Sequence, residues 1–133
     1  MFLVDTSVTT RLASPAVRHA IEELDTFGLA RSTMTDLEVG FSARSAAEWD
    51  ALRSALVTFR SVEIEAQHFL RAGEMQRELA DQGLRGRKVP DLLIAAAAEE
   101  HELTVLHYDI DFDHIASVTG QPTRWVVPRG SID

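Results

Sequence analysis

Met1-Phe2-Leu3-Val4-Asp5-Thr6-Ser7-Val8 opens the chain and decides its fold. Phe2, Leu3 and Val4 run without a polar break into Asp5. A short continuous apolar run fits a strand buried on both faces, as in a parallel sheet. Asp5 then stands at the carboxyl end of that strand, the edge where open α/β sheets bind ligands. Thr6 and Ser7 suit departure from a strand into a helix. A carboxylate is costly to hold at the end of an apolar strand without a partner, so Asp5 calls for companions from elsewhere in the chain.

Downstream, Thr6 to Ala13 reads as a short helix ending near Ser14-Pro15, and Pro15 suits the first turn of the next one. Val17, Ile21 and Leu24 give that second helix a core-facing stripe, and Gly28 ends it. Leu29 to Ser32 is a strand candidate. Thr35-Asp36-Leu37-Glu38 has the form of a capping box and predicts a helix to about Ser42. Ser45 to Phe59 reads as a helix with Trp49, Leu52 and Leu56 on one face, and Ser61 to Glu65 as extended. Ala66 to about Gln82 is amphipathic, with Phe69, Ala72, Met75 and Leu79 as its apolar stripe. Gly83 to Lys88 is a basic loop. Val89-Pro90-Asp91 then opens Leu92 to Ala98, apolar all round and therefore a buried helix. Leu103 to His107 is a second buried strand, again followed by acids at Asp109, Asp111 and Asp113. Phe112, Ile115 and Val118 mark a short helix, Trp125 to Val127 a last strand, and Pro128 onward a tail. Alternating strands and helices predict an α/β fold with a parallel sheet, as one domain over residues 1–133.

The 133 residues, 45% of them hydrophobic, suffice for one core. Cysteine is absent, which excludes disulfides, thiolate metal sites and a cysteine nucleophile, and fits a reducing cytoplasm. The N-terminus lacks a basic n-region and its apolar run is broken by Asp5, so no signal peptide is expected. No run approaches the ~18 apolar residues of a membrane span. The net charge of −8 argues against a generic basic nucleic-acid binder, although clustered carboxylates can hold metal ions that contact phosphates.

Four acids sit where elements begin or end: Asp5, Glu38, Asp91 and Asp109. Taken singly, Glu38 can complete a capping box and Asp91 can cap a helix behind Pro90. Taken together, parallel neighbouring strands and helix N-termini would bring all four to one rim. Clustered carboxylates repel, and a bound divalent cation offsets that cost. Oxygen-only ligands point to Mg²⁺ or Mn²⁺, and such an ion suits phosphodiester hydrolysis by water. Among Asp109, Asp111 and Asp113, Asp109 lies closest to the strand end and is the first choice. The stretch is no EF-hand, because His114 stands at the glycine position and Gly120 at the closing glutamate. A receiver domain would need a late lysine, and none follows Lys88. A haloacid-dehalogenase-like phosphatase would need an acid where Ser7 stands.

Arg85, Arg87 and Lys88 precede Asp91 and could flank the acidic site as contacts for a polyanionic substrate; a merely solvated loop is the plain alternative. Arg11 and Arg44 each follow a site acid by six residues. His107 reads as a structural histidine rather than a general base, and His19, His68, His101 and His114 show no paired metal spacing. Trp49 and Trp125 read as core or dimer contacts rather than base-stacking platforms.

L-V-D-T-S, T-D-L-E, V-P-D-L-L-I-A-A-A-A and V-L-H-Y-D-I-D-F-D-H-I-A together resemble the PIN-domain family, and within it VapC-type ribonuclease toxins of toxin–antitoxin pairs. The likeness extends over essentially the whole chain. It implies a central parallel sheet flanked by helices on both faces and an acidic groove holding Mg²⁺ or Mn²⁺. It implies that Asp5, Glu38, Asp91 and Asp109 form the metal-binding and catalytic set, with Glu38 holding a second metal or orienting water. Asp111 matches a second acid of the last motif, and Ser7 a small hydroxyl residue after the first acid. The implied activity is Mg/Mn-dependent endoribonuclease in a homodimer inhibited by a VapB-type antitoxin whose C-terminal segment enters the groove; hydrolysis by a metal-bound water is expected to leave a 5′-phosphate, and the absence of cysteine fits a cytoplasmic location. Tyr108 stands where many relatives carry Asn. A PIN-like DNA nuclease and a catalytically inactive PIN-like binding module are the alternatives.

Overall fold

A computed structural model describes residues 1–25 and 28–133. In chain order it contains β1 (Phe2–Val4), α1 (Thr6–Thr9), α2 (Pro15–Leu24), β2 (Leu29–Ser32), α3 (Thr33–Gly40), α4 (Ala46–Leu56), β3 (Arg60–Val62), α5 (Ala66–Asp81), α6 (Val89–Glu100), β4 (Thr104–His107), α7 (Asp111–Thr119) and β5 (Thr123–Trp125). The strands form one sheet in the order β3-β2-β1-β4-β5, and every pairing is parallel. From β1 at the centre the chain winds outward to β2 and β3, then returns to the other side for β4 and β5. The strand order therefore reverses between β1 and β4, the point at which doubly wound sheets open a crevice at their carboxyl ends.

Alternation along the strands divides the core in two. Leu3, Ala30 and Val105 face α5, α6 and α7, whereas Val4, Leu29 and Leu106 face α1, α2 and α4. Both layers are dry, which is why β1 and β4 read as apolar without interruption. The sevenfold run from Leu92 to Ala98 in α6 is buried at every position. Its Leu92, Leu93 and Ile94 each contribute about 1.5–3 kcal/mol of apolar burial.

Several local expectations are corrected. Helix α3 begins at Thr33, with Ser32 as its cap: the Thr35 amide donates to Ser32 Oγ at 3.2 Å. Glu38 therefore does not close a capping box. On α5 the inward stripe is His68, Ala72, Met75 and Leu79, while Phe69 is 59% exposed. The cause is local: the Glu65 amide donates to His68 Nδ1 at 2.9 Å, which turns residue 68 inward and residue 69 outward. Trp49 is not a core residue; it is partly exposed beside Gly40, where a Cβ would come within 2.6 Å of its indole nitrogen. The third strand is Arg60–Val62 rather than Ser61 to Glu65, and the last ends at Trp125, with Val126 and Val127 buried beyond it. Among the described residues no helix is long and apolar enough to cross a membrane.

Candidate active site

Asp5 is the residue after β1 and caps α1. Its Oδ2 accepts the Ser7 amide at 2.9 Å and the Ser7 hydroxyl at 2.6 Å. Ser7 Oγ in turn accepts the Tyr108 amide at 2.8 Å, which locks the ends of β1 and β4 together. Asp5 Oδ1 is buried and has no hydrogen-bond partner. Burial pushes the Asp5 carboxyl up to about 6 against the Ser7 bonds, and nearby Glu38 adds to the rise.

Asp91 lies in the first turn of α6, behind Pro90, and is buried. Its Oδ2 also lacks a hydrogen-bond partner. Burial, then the charge of Asp5, raises it to about 8, with Asp109 and Asp111 adding and Lys88 opposing. Asp109 follows β4. Burial would raise it, but Lys88 Nζ at 2.7 Å and the Asp111 amide at 2.9 Å outweigh that and hold it below the usual range. Glu38 reaches the cleft from α3, where Thr6 Oγ1 donates to its Oε1 at 2.7 Å; Thr6 Oγ1 also lies 3.0 Å from the buried Thr35 hydroxyl. Asp5, Glu38, Asp91 and Asp109 thus line one cleft of about 260 Å³, with Ser7, Lys88, Arg11 and Tyr108 on its wall.

The remaining candidates separate. Asp111 joins two of the four acids: oxygens of Asp91, Asp109 and Asp111 lie within 4.8 Å of one another, a group that includes neither Asp5 nor Glu38. Asp113 points elsewhere and accepts from Trp125 Nε1 at 3.1 Å. Arg87 is paired with Asp111 at 2.8 Å and Lys88 with Asp109, so both are tied to the acids; Arg85 is exposed. Arg11 is on the wall, held by Asp133 and by the Ser7 carbonyl. Arg44 pairs with Glu48 and does not line the cleft. His107 is fully buried. Burial lowers it to about 4 despite Asp113 and Asp109, leaving a neutral ring whose Nδ1 accepts the Asp109 amide at 3.2 Å.

Thr6, which lines the cleft, and Thr35, whose hydroxyl lies 3.0 Å from that of Thr6, were passed over by sequence reasoning. Thr6 directly follows Asp5 and Thr35 opens the T-D-L-E motif, so each was visible beside an acid. Asp36 in the same motif has a different task. It is buried against Arg31 at 2.6 Å, and Arg31 also donates to the Leu56 and Phe59 carbonyls.

A second set of ligating groups, Glu65, His68, Glu100 and His101, gathers at the start of α5 and the end of α6, a proximity that sequence spacing hid. Because His68 Nδ1 accepts a backbone amide, the neutral ring carries its proton on Nε2, which faces Glu100 Oε1 at 3.3 Å. That ring caps a helix and offers the group no free lone pair.

The cleft has an oxygen-only donor set and two buried carboxylate oxygens without a hydrogen bond, Asp5 Oδ1 and Asp91 Oδ2. Both features fit a hard divalent cation.

Comparison with known proteins agrees with the topology. The PIN domain family model matches residues 2–118. Ribonuclease VapC51 of Mycobacterium tuberculosis is 59% identical over 99% of this chain and 97% of its own. Ribonuclease VapC21 of the same species is 44% identical over 98% of this chain and 96% of its own. Among solved structures, a VapBC2 complex from Rickettsia felis bound to promoter DNA superposes with a TM-score of 0.76 at 18% identity, covering 92% of this chain and 96% of that one. VapBC-1 from nontypeable Haemophilus influenzae gives 0.77 at 19% identity, covering 94% and 97%. With its 3-2-1-4-5 sheet, its acids collected at the strand-order reversal and these relatives along its whole length, the chain belongs to the PIN-domain family, among the VapC ribonucleases.

Proposed function

We propose that the chain is the toxin of a VapBC-type pair, a metal-dependent endoribonuclease that hydrolyses RNA phosphodiesters with Mg²⁺, or Mn²⁺ in its place. The observation that carries this reading is the pair of buried carboxylate oxygens without a hydrogen bond on Asp5 and Asp91, two residues that line one cleft at the carboxyl ends of β1 and β4. The names of the relatives supply the substrate class.

Asp5, Asp91 and Asp109 would hold the cation, with Asp111 behind them. A divalent cation there supplies Lewis acidity toward a phosphoryl oxygen and acidifies bound water. Ser7 orients Asp5 by spending both its amide and its hydroxyl on one carboxylate oxygen, leaving Oδ1 for the ligand. Thr6 fixes Glu38 through Oε1, so Oε2 is the oxygen left to take a proton from an attacking water. His107 is neutral and buried, and takes no part in proton transfer. Arg11 and Lys88 bring positive charge to an otherwise acidic rim, which a polyanionic substrate needs.

The chain would act as a homodimer under control of a VapB-type antitoxin. Support for the dimer is the exposed apolar side of α3 and α5, where Leu37, Phe41 and Phe69 are 67%, 92% and 59% exposed. Support for the antitoxin is the set of VapBC complexes among the structural neighbours. Cleavage of single-stranded RNA and of DNA of the same sequence, with Mg²⁺ or with EDTA, tests the function. RNA cut only with the metal, leaving 5′-phosphates, is the expected result; RNA cut equally well in EDTA contradicts it.

A further inference from the structure

The chain has twelve arginines but one lysine, and that lysine stands in the acidic cluster. Lys88 Nζ lies 2.7 Å from Asp109 Oδ2, 3.6 Å from Asp91 Oδ2 and 3.9 Å from Asp111 Oδ2. These are the three acids whose oxygens converge within 4.8 Å. An ammonium is a compact point charge with three donors, whereas a guanidinium is a flat fork. The ammonium's compact charge suits a position within 4 Å of all three carboxylates.

The ammonium is nevertheless an incomplete occupant. It makes a hydrogen bond to Asp109, but Asp91 Oδ2 remains buried without one. It is also the movable member of the group. Its side chain is 59% exposed, while those of Asp91 and Asp111 are 5% and 15% exposed. The acids have other anchors: Asp109 Oδ1 accepts the Asp111 amide, and Asp111 is gripped by Arg87. Asp109 and Asp111 therefore do not depend on Lys88 alone for their placement.

We propose that Lys88 is an exchangeable stand-in for the divalent cation. In the cation-free chain its charge offsets those of Asp91, Asp109 and Asp111; it gives up Asp91 and Asp109, the two acids it shares with the cation, when the cation binds and is then free at the cleft mouth for the substrate phosphate. This rests on the metal site proposed above and adds a second job for the same residue. It explains how an empty cluster of acids avoids collapse or repulsion, and why the loop before α6 carries the chain's one lysine among arginines.

Two measurements test it on the full chain. With lysine labelled at its Cε carbon, the protein gives one lysine side-chain signal, which is followed as Mg²⁺ is added. Calorimetric titration with Mn²⁺ compares the parent with Lys88→Met. The proposal predicts that the signal moves to a free-lysine position as Mg²⁺ saturates, and that Lys88→Met binds Mn²⁺ about tenfold more tightly because a competing charge is gone. A signal unmoved at saturation, or equal or weaker Mn²⁺ binding by Lys88→Met, overturns the exchange while leaving the metal site standing. No Mn²⁺ binding by either protein overturns both.

Discussion

Thr6 Oγ1 donates to Glu38 Oε1 at 2.7 Å, joining the residue after Asp5 to an acid 32 positions later on another helix. This contact aims Glu38 at the cleft instead of at its own helix end. Thr6→Val should lower RNA cleavage by about 10- to 100-fold through misplacement of the carboxylate, with little change in melting temperature. Thr6→Ser keeps the hydroxyl and should restore most of the rate. Single-turnover cleavage assays on the two variants check this.

Asp36, two residues before Glu38, should behave in the opposite way. Asp36→Ala strands the buried Arg31 and should cost about 3 kcal/mol, lowering the melting temperature by roughly 10 °C. Cleavage per folded molecule should match the parent. Thermal melts with active-site titration separate the two effects.

Asp91, raised to about 8 when folded against an ordinary 3.8, makes metal-free stability fall with rising pH. Between pH 6.5 and 9 the folded state gives up a proton that the unfolded state has already lost, so the folded form is favoured less at the upper end. Asp5, raised to about 6, acts mostly below this window, where His107, lowered to about 4, pulls the other way. Melts in EDTA should drop by several degrees from pH 6.5 to 9. Asp91→Asn should flatten that slope. A parent slope of the opposite sign would count against the buried, cation-free carboxylate.

Tyr108 OH donates to the Ile132 carbonyl at 2.7 Å and accepts the Gly130 amide at 3.0 Å, holding the last residues against the cleft wall. Tyr108→Phe should cost about 1 kcal/mol and speed hydrogen exchange at Gly130 and Ile132, leaving β4 protected. Exchange measured by NMR reports both regions at once.

Much of this layout was legible in the chain because the informative residues act locally. An apolar run into an acid can be read from four letters, as at Phe2 to Asp5, and an all-apolar helix from seven, as at Leu92 to Ala98. What could not be read depends on which of several possible partners a side chain takes, near or far along the chain. The T-D-L-E motif looked like a capping box, yet Ser32 took the cap and Thr6 took Glu38. Phe69 looked like core because the pattern does not reveal that a histidine, one position earlier, would cap the helix and claim the inward face. The basic loop shows the same gap: its spacing does not reveal that Arg87 pairs with Asp111 and Lys88 with Asp109, which only the fold of α6 beside β4 makes possible.

The central claim is that Asp5, Asp91 and Asp109 share one hard cation. Crystals soaked in Mn²⁺ and recorded at its absorption edge give the most direct answer. The account predicts an anomalous peak within coordination distance of Asp5 Oδ1, Asp91 Oδ2 and an Asp109 oxygen. A cleft without a peak, with Mn²⁺ found instead at Glu65, His68, Glu100 and His101, would contradict it.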